Sequence, residues 1–198
     1  ALADGEIDAE AAQQACAQWR VDAQARSFWH ASHLIGDVMR SDELARDAAL
    51  IVSKRLPVRL AEIGGVIGPA FGEVYGHLGA RGIAGSGPPF VIYHESPADA
   101  DPFDIEVCAP VGRRTDPPTG WQVQELPAGT FASLLHVGPY DTLGTAYDTL
   151  TSWIGAHGLA FAGPPREVYL SEPETPAEQI RTIVEFPVVE TAAAVATT

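Results

Sequence analysis

Glu185 sits in "RTIVEFPV", a run that alternates, with Thr182, Val184 and Phe186 on one side and Ile183 and Glu185 on the other. "FDIEVCAP" holds Glu106 in a similar setting, with Ile105, Val107 and Ala109 opposite it. A carboxylate on the inward face of a strand loses hydration, which raises its pKa unless a cation or hydrogen-bond donors compensate. Such a group can be the counter-ion of a bound cation or a general base. Tyr93, Tyr169, Tyr140 and Tyr147 are the candidate rings around it, with Trp121 and Trp153 behind them. Each ring face is worth about 0.5 to 2 kcal/mol toward a desolvated cation, so the set favours a flat, lipophilic cation. In an enzymatic version Glu185 activates a water as general base, and the hydroxyl of Tyr140 or Tyr169 binds the oxygen that gains charge. Plainer roles fit the same spacing. Either glutamate can sit at a solvated sheet edge, and Tyr147 or Tyr75 on a helix stripe can be core; alternation alone does not choose.

The elements that must hold these groups are written twice. "GPPFVIYHESP" (Gly87 to Pro97) and "GPPREVYLSEP" (Gly163 to Pro173) share Gly-Pro-Pro, the tyrosine and the closing proline without a gap. "DPFDIEVCAPV" corresponds to "EQIRTIVEFPV", "HLGARGIAGSGPP" to "WIGAHGLAFAGPP", and "ELARDAALIVSKRLP" to "ELPAGTFASLLHVGP". In "HLGARG" and "WIGAHG" a glycine follows the helix end, as a left-handed cap requires. Each half therefore reads as strand, helix, strand, strand. The first helix is expected over 68–78, with Phe71, Val74, Tyr75 and Leu78 on its stripe. The second is expected over 141–156, with Leu143, Tyr147, Leu150 and Ile154. A unit of about 70 residues buries too little apolar surface to stand alone, so the two halves should pack as one domain with a cleft at their seam. The fold class is α+β: tandem strand-helix-strand-strand units with pseudo-twofold symmetry, preceded by an N-terminal helix. The expected boundaries are a helical extension over 1–35, a domain over 36–190 (repeat one 36–111, repeat two 121–190) and a flexible tail over 191–198.

Composition narrows the function classes. The apolar fraction of 46% and charged fraction of 19% belong to a globular chain. A net charge of −14 repels phosphate backbones, and the twelve basic residues cluster no further than Arg113-Arg114, so direct nucleic-acid binding is not expected. No run approaches a membrane span, and the acidic N-terminus lacks the order of a secretory signal; the expected location is cytoplasmic. Cys16 and Cys108 match no metal spacing and read as thiols in a reducing compartment, with a disulfide left open. His30 and His33 lack a third ligand, "GIAGSG" lacks dinucleotide-loop spacing, and no Gly-x-Ser-x-Gly elbow exists. No metal or cofactor is expected. The acidic loops Asp99 to Asp104 and Glu172 to Glu178 are solvated surface that can steer cations. Asp8 and Glu10 open a helical pattern through Ala12, Cys16, Trp19 and Ala23. That segment suits a docking helix, while Trp19, Phe28 and Trp29 leave a lid or a homodimer contact open.

The duplicated pattern, "HVGPY" at His136 to Tyr140, the two "GPP...Y" strands and the final "VEFPV" resemble the GyrI-like small-molecule-binding domain over roughly residues 36 to 190. That family supplies the effector-binding part of AraC-type and MerR-type multidrug regulators and also occurs as stand-alone proteins. The resemblance implies a ring-lined pocket at the seam with an acidic residue on the final strand, which Glu185 matches here. It implies a hydrophobic, often cationic, small-molecule ligand held for effector sensing or drug sequestration. A stand-alone subgroup hydrolyses cyclopropane-bearing, DNA-alkylating natural products, which is the alternative activity. The chain departs from the regulators in showing no basic helix-turn-helix in its first 35 residues.

Overall fold

The computed structural model describes residues 45–191. The expected N-terminal helix, Cys16, the histidines at 30 and 33, and residues 192–198 lie outside the described residues.

Nine strands and two helices are described. They follow the order β1 (Ala45–Arg46), β2 (Ala49–Val58), α1 (Ile63–Gly79), β3 (Phe90–Tyr93), β4 (Phe103–Pro110), β5 (Gln122–Leu126), β6 (Gly129–Val137), α2 (Gly144–Ala156), β7 (Leu159–Phe161), β8 (Arg166–Tyr169) and β9 (Arg181–Glu190). The strands form one antiparallel sheet in the order β1-β6-β9-β8-β3-β4-β2-β5, with β7 paired to β9.

This order is a palindrome about the β8–β3 pair, as the duplication requires. β3 and β8 are the two tyrosine strands, and they meet side by side at the pseudo-axis, with Val91 opposite Glu167. Outward from them come β4 and β9, then β2 and β6. The outermost strands are exchanged: β1, from the first half, closes the edge beside β6, and β5, leading into the second half, closes the edge beside β2. The short bridge between Gly85 and Val111 is the first-half counterpart of the pairing between Phe161 and Val188.

Both helices lie on one face of the sheet. α1 buries Ala70, Val74 and Leu78, spaced by four, against Val91, Val107 and Ala109. α2 buries Ala146, Leu150 and Ile154 at the same spacing, and its Tyr147 hydrogen-bonds Glu167 from above the same face. Leu78, Leu150 and Ile154 are each at most 1% exposed, and burial of such a side chain stabilises by roughly 1.5 to 3 kcal/mol.

The helix ends follow the sequence closely at one end and depart from it at the other. Gly82 and Gly158 have φ of 63° and 67°, the left-handed conformation that glycine adopts without a Cβ clash. After α1, Ile83 N–H donates to the Leu78 carbonyl and Gly82 N–H to that of Gly79, the paired bonds of a Schellman cap. The starts differ from expectation. α1 begins at Ile63 rather than 68, running through Gly64, Gly65 and Pro69, residues that read as helix breakers. α2 begins at Gly144, because Tyr140–Thr142 form a 3-10 turn first.

Candidate ligand-binding site

Between the two helices, above the β3–β8 pair, lies an open cavity of about 1790 Å³. Drug-sized ligands usually occupy about 300 to 1,000 Å³, so this one admits a bulky molecule. Its floor is the sheet, with Tyr93, Glu167, Tyr169 and Phe186; its walls are α1 and α2; the loops after β3 and β8 and the Pro88-Pro89 and Pro164-Pro165 pairs close its ends. The repeated segments thus meet around it from both sides of the pseudo-axis.

Glu167 is at the centre. It is 7% exposed, and the register places it in a row of Val107, Val91, Glu167, Val184 and Leu134 across five strands. Three tyrosyl hydroxyls donate to it: Tyr93 and Tyr169 to Oε2, each at 2.9 Å, and Tyr147 to Oε1 at 3.0 Å. Burial pushes its carboxyl above the ordinary range, and the three hydroxyls only partly offset that rise. The same burial, with Glu167 beside them, holds the Tyr93, Tyr147 and Tyr169 hydroxyls well above their usual range, so they stay protonated and donating. The rings brace one another edge to face: Tyr140 on Tyr169 at 6.0 Å, Phe71 on Tyr169 at 5.9 Å, and Tyr147 on Phe186 at 5.8 Å.

The rim continues the charge pattern. Glu95, Asp141, Asp148 and Glu172 line the cavity, and among the described residues no lysine or arginine does. A desolvated carboxylate held by neutral donors, under rings and with acids at the mouth, gives the hollow a negative potential.

The structure divides the candidate residues named from sequence. Tyr93, Tyr140, Tyr147 and Tyr169 all line the cavity, Tyr140 at its exposed rim. Trp121 and Trp153 do not: Trp121 is core beneath Lys54, whose Nζ lies 5.5 Å from its ring, and Trp153 stacks on His157 at 4.1 Å. Glu185 and Glu106 lie on the opposite face of the sheet. Their row runs Glu106, Ile92, Arg166, Glu185 and Ser133. Glu185, 1% exposed, is held by Arg166 Nε at 2.6 Å and Arg46 at 2.8 Å, and accepts a bond from Ser133. Burial works to raise its pKa, but the two guanidiniums more than reverse this and hold it below the usual range. Glu106 is bonded to His94 Nε2 at 2.9 Å and to Gln124. β9 alternates as expected, but the cavity lies on the face of Val184 and Phe186, where Phe186 lines it, and not on that of Glu185.

Glu167 had two sequence signals. In "REVY" it is two residues from Tyr169, hence on the same strand face. It also breaks the repeat, standing where the first half has Val91.

A duplicated α+β fold with a ring-lined hollow at its pseudo-axis defines a small-molecule-binding domain. The family described as GyrI-like small molecule binding domain matches residues 45–189, and the chain belongs to it. The family of the N-terminal domain of the anti sigma-E protein RseA matches residues 1–61. Among solved structures, the C-terminal domain of EcmrR is similar with a TM-score of 0.66 at 25% identity, over 74% of this chain and 95% of that one. SAV2435 bound to tetraphenylphosphonium has a TM-score of 0.53 at 13% identity, over 73% and 91%. A hydrolase encoded by lin2189 from Listeria innocua has 0.52 at 12%, over 73% and 89%. The last two show likeness of fold alone. No curated protein matches the chain. No described helix is long and apolar enough to cross a membrane.

Proposed function

We propose that this domain captures a bulky lipophilic cation, with Glu167 as counter-ion and Tyr93, Tyr147 and Tyr169 fixing the carboxylate beneath the rings. The observation that carries this reading is a buried carboxylate facing a large apolar cavity with hydroxyl donors and, among the described residues, no lysine or arginine in its lining. The tetraphenylphosphonium complex of SAV2435, a protein of similar fold, supplies the probe. Calorimetric titration is expected to show binding of tetraphenylphosphonium and much weaker binding of neutral tetraphenylmethane-type analogues made soluble by a polyether tail. Equal affinity for the charged and neutral compounds would remove the counter-ion role.

The pH dependence has a defined sign. The phosphonium keeps its charge at every pH, so the variation comes from the titratable groups of the cavity, and the part due to Glu167 is the part that Glu167→Gln abolishes. Because burial raises its pKa, the carboxyl stays neutral to a higher pH than an ordinary glutamate. Affinity should therefore rise with pH through that raised pKa and then level off. A flat profile between pH 4 and 8 contradicts this assignment.

The hydrolytic alternative uses the same group as base. Oε1 accepts one described hydrogen bond and keeps a lone pair for a water. The protons of Tyr93, Tyr147 and Tyr169 are already committed to Glu167, however, which leaves of the four only Tyr140, at the exposed rim where water competes for its hydroxyl, to meet an oxygen gaining charge. Capture is accordingly the better-supported chemistry. Incubation with a cyclopropane-bearing alkylator, read by mass spectrometry, separates the two: ring-opened product above the buffer control favours the hydrolase.

One further observation favours a protein partner. The match of residues 1–61 to the RseA N-terminal domain makes a sigma factor the partner to test, with the captured ligand as the signal. The expected result is binding of the full chain to a purified sigma-E-type factor, altered by saturating tetraphenylphosphonium. Absence of binding under both conditions removes this partner.

A further inference from the structure

β7 is a strand with one neighbour. Its residues pair with Glu190, Val189 and Val188 of β9, and among the described residues no strand lies on its other side. The flanking bonds fix which backbone groups point where. Ala162 N–H donates to the Pro187 carbonyl and Thr191 N–H to that of Gly158. Gly158 and Ala162 thus turn their backbone toward β9, Ala160 does the same by the two-residue period, and Leu159 and Phe161 turn theirs away. Among the described residues no backbone group bonds to the outward N–H or carbonyl of either.

An open edge is usually blunted by a charged side chain, a bulge or a covering loop. This one carries none of that charge: from Gly158 to Pro165 the chain has no charged residue, although its net charge is −14. Phe161 is 52% exposed, and Val189 on the adjoining strand is 53% exposed. The repeat does not dictate the phenylalanine. Its first-half counterpart is Gly85, which makes a single bridge with Val111. The Phe161 ring leans on Phe186, with centroids 5.0 Å apart, and still leaves half its surface to solvent.

We propose that two copies of this chain join edge to edge through β7, antiparallel about Ala160. In that register Leu159 of one copy faces Phe161 of the other, and each such pair exchanges both of its N–H to carbonyl bonds, so the open edge is its own complement under a twofold axis. Leu159 and Phe161 then form aromatic-aliphatic cross-strand pairs on the face of Val188. The small Ala160 side chains meet at the axis on the other face. Charge favours the same place: two acidic chains repel, and they approach with least repulsion over an uncharged stretch. The axis stands normal to the sheet, so both helical layers, and with them both cavity mouths, lie on one side of the pair. Nothing in this pairing depends on the identity of the ligand.

The test uses the full chain. Sedimentation velocity over a range of concentrations should show a monomer–dimer equilibrium, of micromolar or weaker affinity because the contact is small. Phe161→Lys should weaken the dimer about tenfold or more, the scale of one central aromatic side chain in an interface. Val137→Lys makes the same charge change at a position 56% exposed elsewhere and should leave the dimer intact. A general charge effect would move both variants alike, toward association. Ala160→Cys combined with Cys16→Ser should form a disulfide-linked dimer on air oxidation, because directly opposed residues of a non-hydrogen-bonded pair have Cα atoms about 4.5 Å apart, within disulfide reach. The remaining Cys108 is buried, and Val137→Cys in the same background should not crosslink. A chain that stays monomeric at every concentration, a dimer undiminished by Phe161→Lys, or an Ala160→Cys variant that fails to crosslink overturns the assignment. Should Phe161→Lys fold poorly, the crosslink decides alone.

Discussion

Replacing Glu167 by glutamine is expected to weaken tetraphenylphosphonium binding about 30-fold or more while leaving the protein as stable as before, or more stable, at neutral pH. The affinity loss follows from removing the counter-ion of a desolvated cation, an effect of about 2 kcal/mol or more. The stability effect has the opposite sign because the folded state destabilises this carboxylate's charge. Its pKa is raised on folding, so the unliganded protein is most stable where Glu167 is protonated in both states. It loses that advantage as pH rises from the unfolded pKa through the folded one. Glutamine has the same shape and no charge, and the three hydroxyls can rotate to meet its amide. The stability difference between Glu167→Gln and the wild type should therefore be largest at pH 7 and shrink toward pH 4. Binding that survives Glu167→Gln undiminished, or a variant that is strongly destabilised at pH 7, contradicts the role given to this residue.

On the other face of the sheet, Arg166→Ala should be costly to stability and nearly silent in binding. Glu185 is 1% exposed and depends on Arg166 at 2.6 Å and Arg46 at 2.8 Å. Arg166 itself lies 4.0 Å over the Phe131 ring and 5.2 Å over that of Phe90. Removing one partner of a buried ion pair leaves charge without compensation and costs about 3 to 5 kcal/mol. For a domain of this size that corresponds to a drop on the order of 10 °C in melting temperature. The pH dependence runs opposite to that of Glu167. The two guanidiniums hold the Glu185 carboxyl below its ordinary range, so its contribution is complete above the unfolded pKa and is lost as pH falls through the folded one. Arg166→Met combined with Glu185→Leu should recover much of the loss, since a well-packed apolar pair often replaces a buried ionic one without penalty. Glu185→Gln should leave tetraphenylphosphonium affinity within about twofold, well inside the roughly 2 kcal/mol expected of a direct counter-ion. A loss comparable to that of Glu167→Gln, without loss of stability, would return the counter-ion to Glu185.

The comparison of these two glutamates shows how far the sequence reaches. Duplication was legible because Gly-Pro-Pro, tyrosine and the glycine caps recur in the same order, and each recurrence has a local physical cause. From it came the α+β class, the pairing of halves and four of the five tyrosines that line the cavity. The early start of α1 was hidden, because glycine and Pro69 weigh against a helix locally. What outweighs them is the burial of Ala70, Val74 and Leu78 on the sheet.

By itself, the sequence determined which residues share a strand face, since successive side chains point to opposite sides whatever the surroundings. Glu167 goes with Tyr169, and Glu185 with Ile183, on that ground alone. Which face lies under the helices was decided only in three dimensions. β9 is apolar on both sides, with Val184 and Phe186 on one and Ile183 on the other, so its pattern gives no preference. Register across the pseudo-axis then brought Val91 beside Glu167 and the Tyr93 hydroxyl, 74 residues away in the chain, onto its carboxylate. No local rule contains that contact, because it exists only once the two halves have paired.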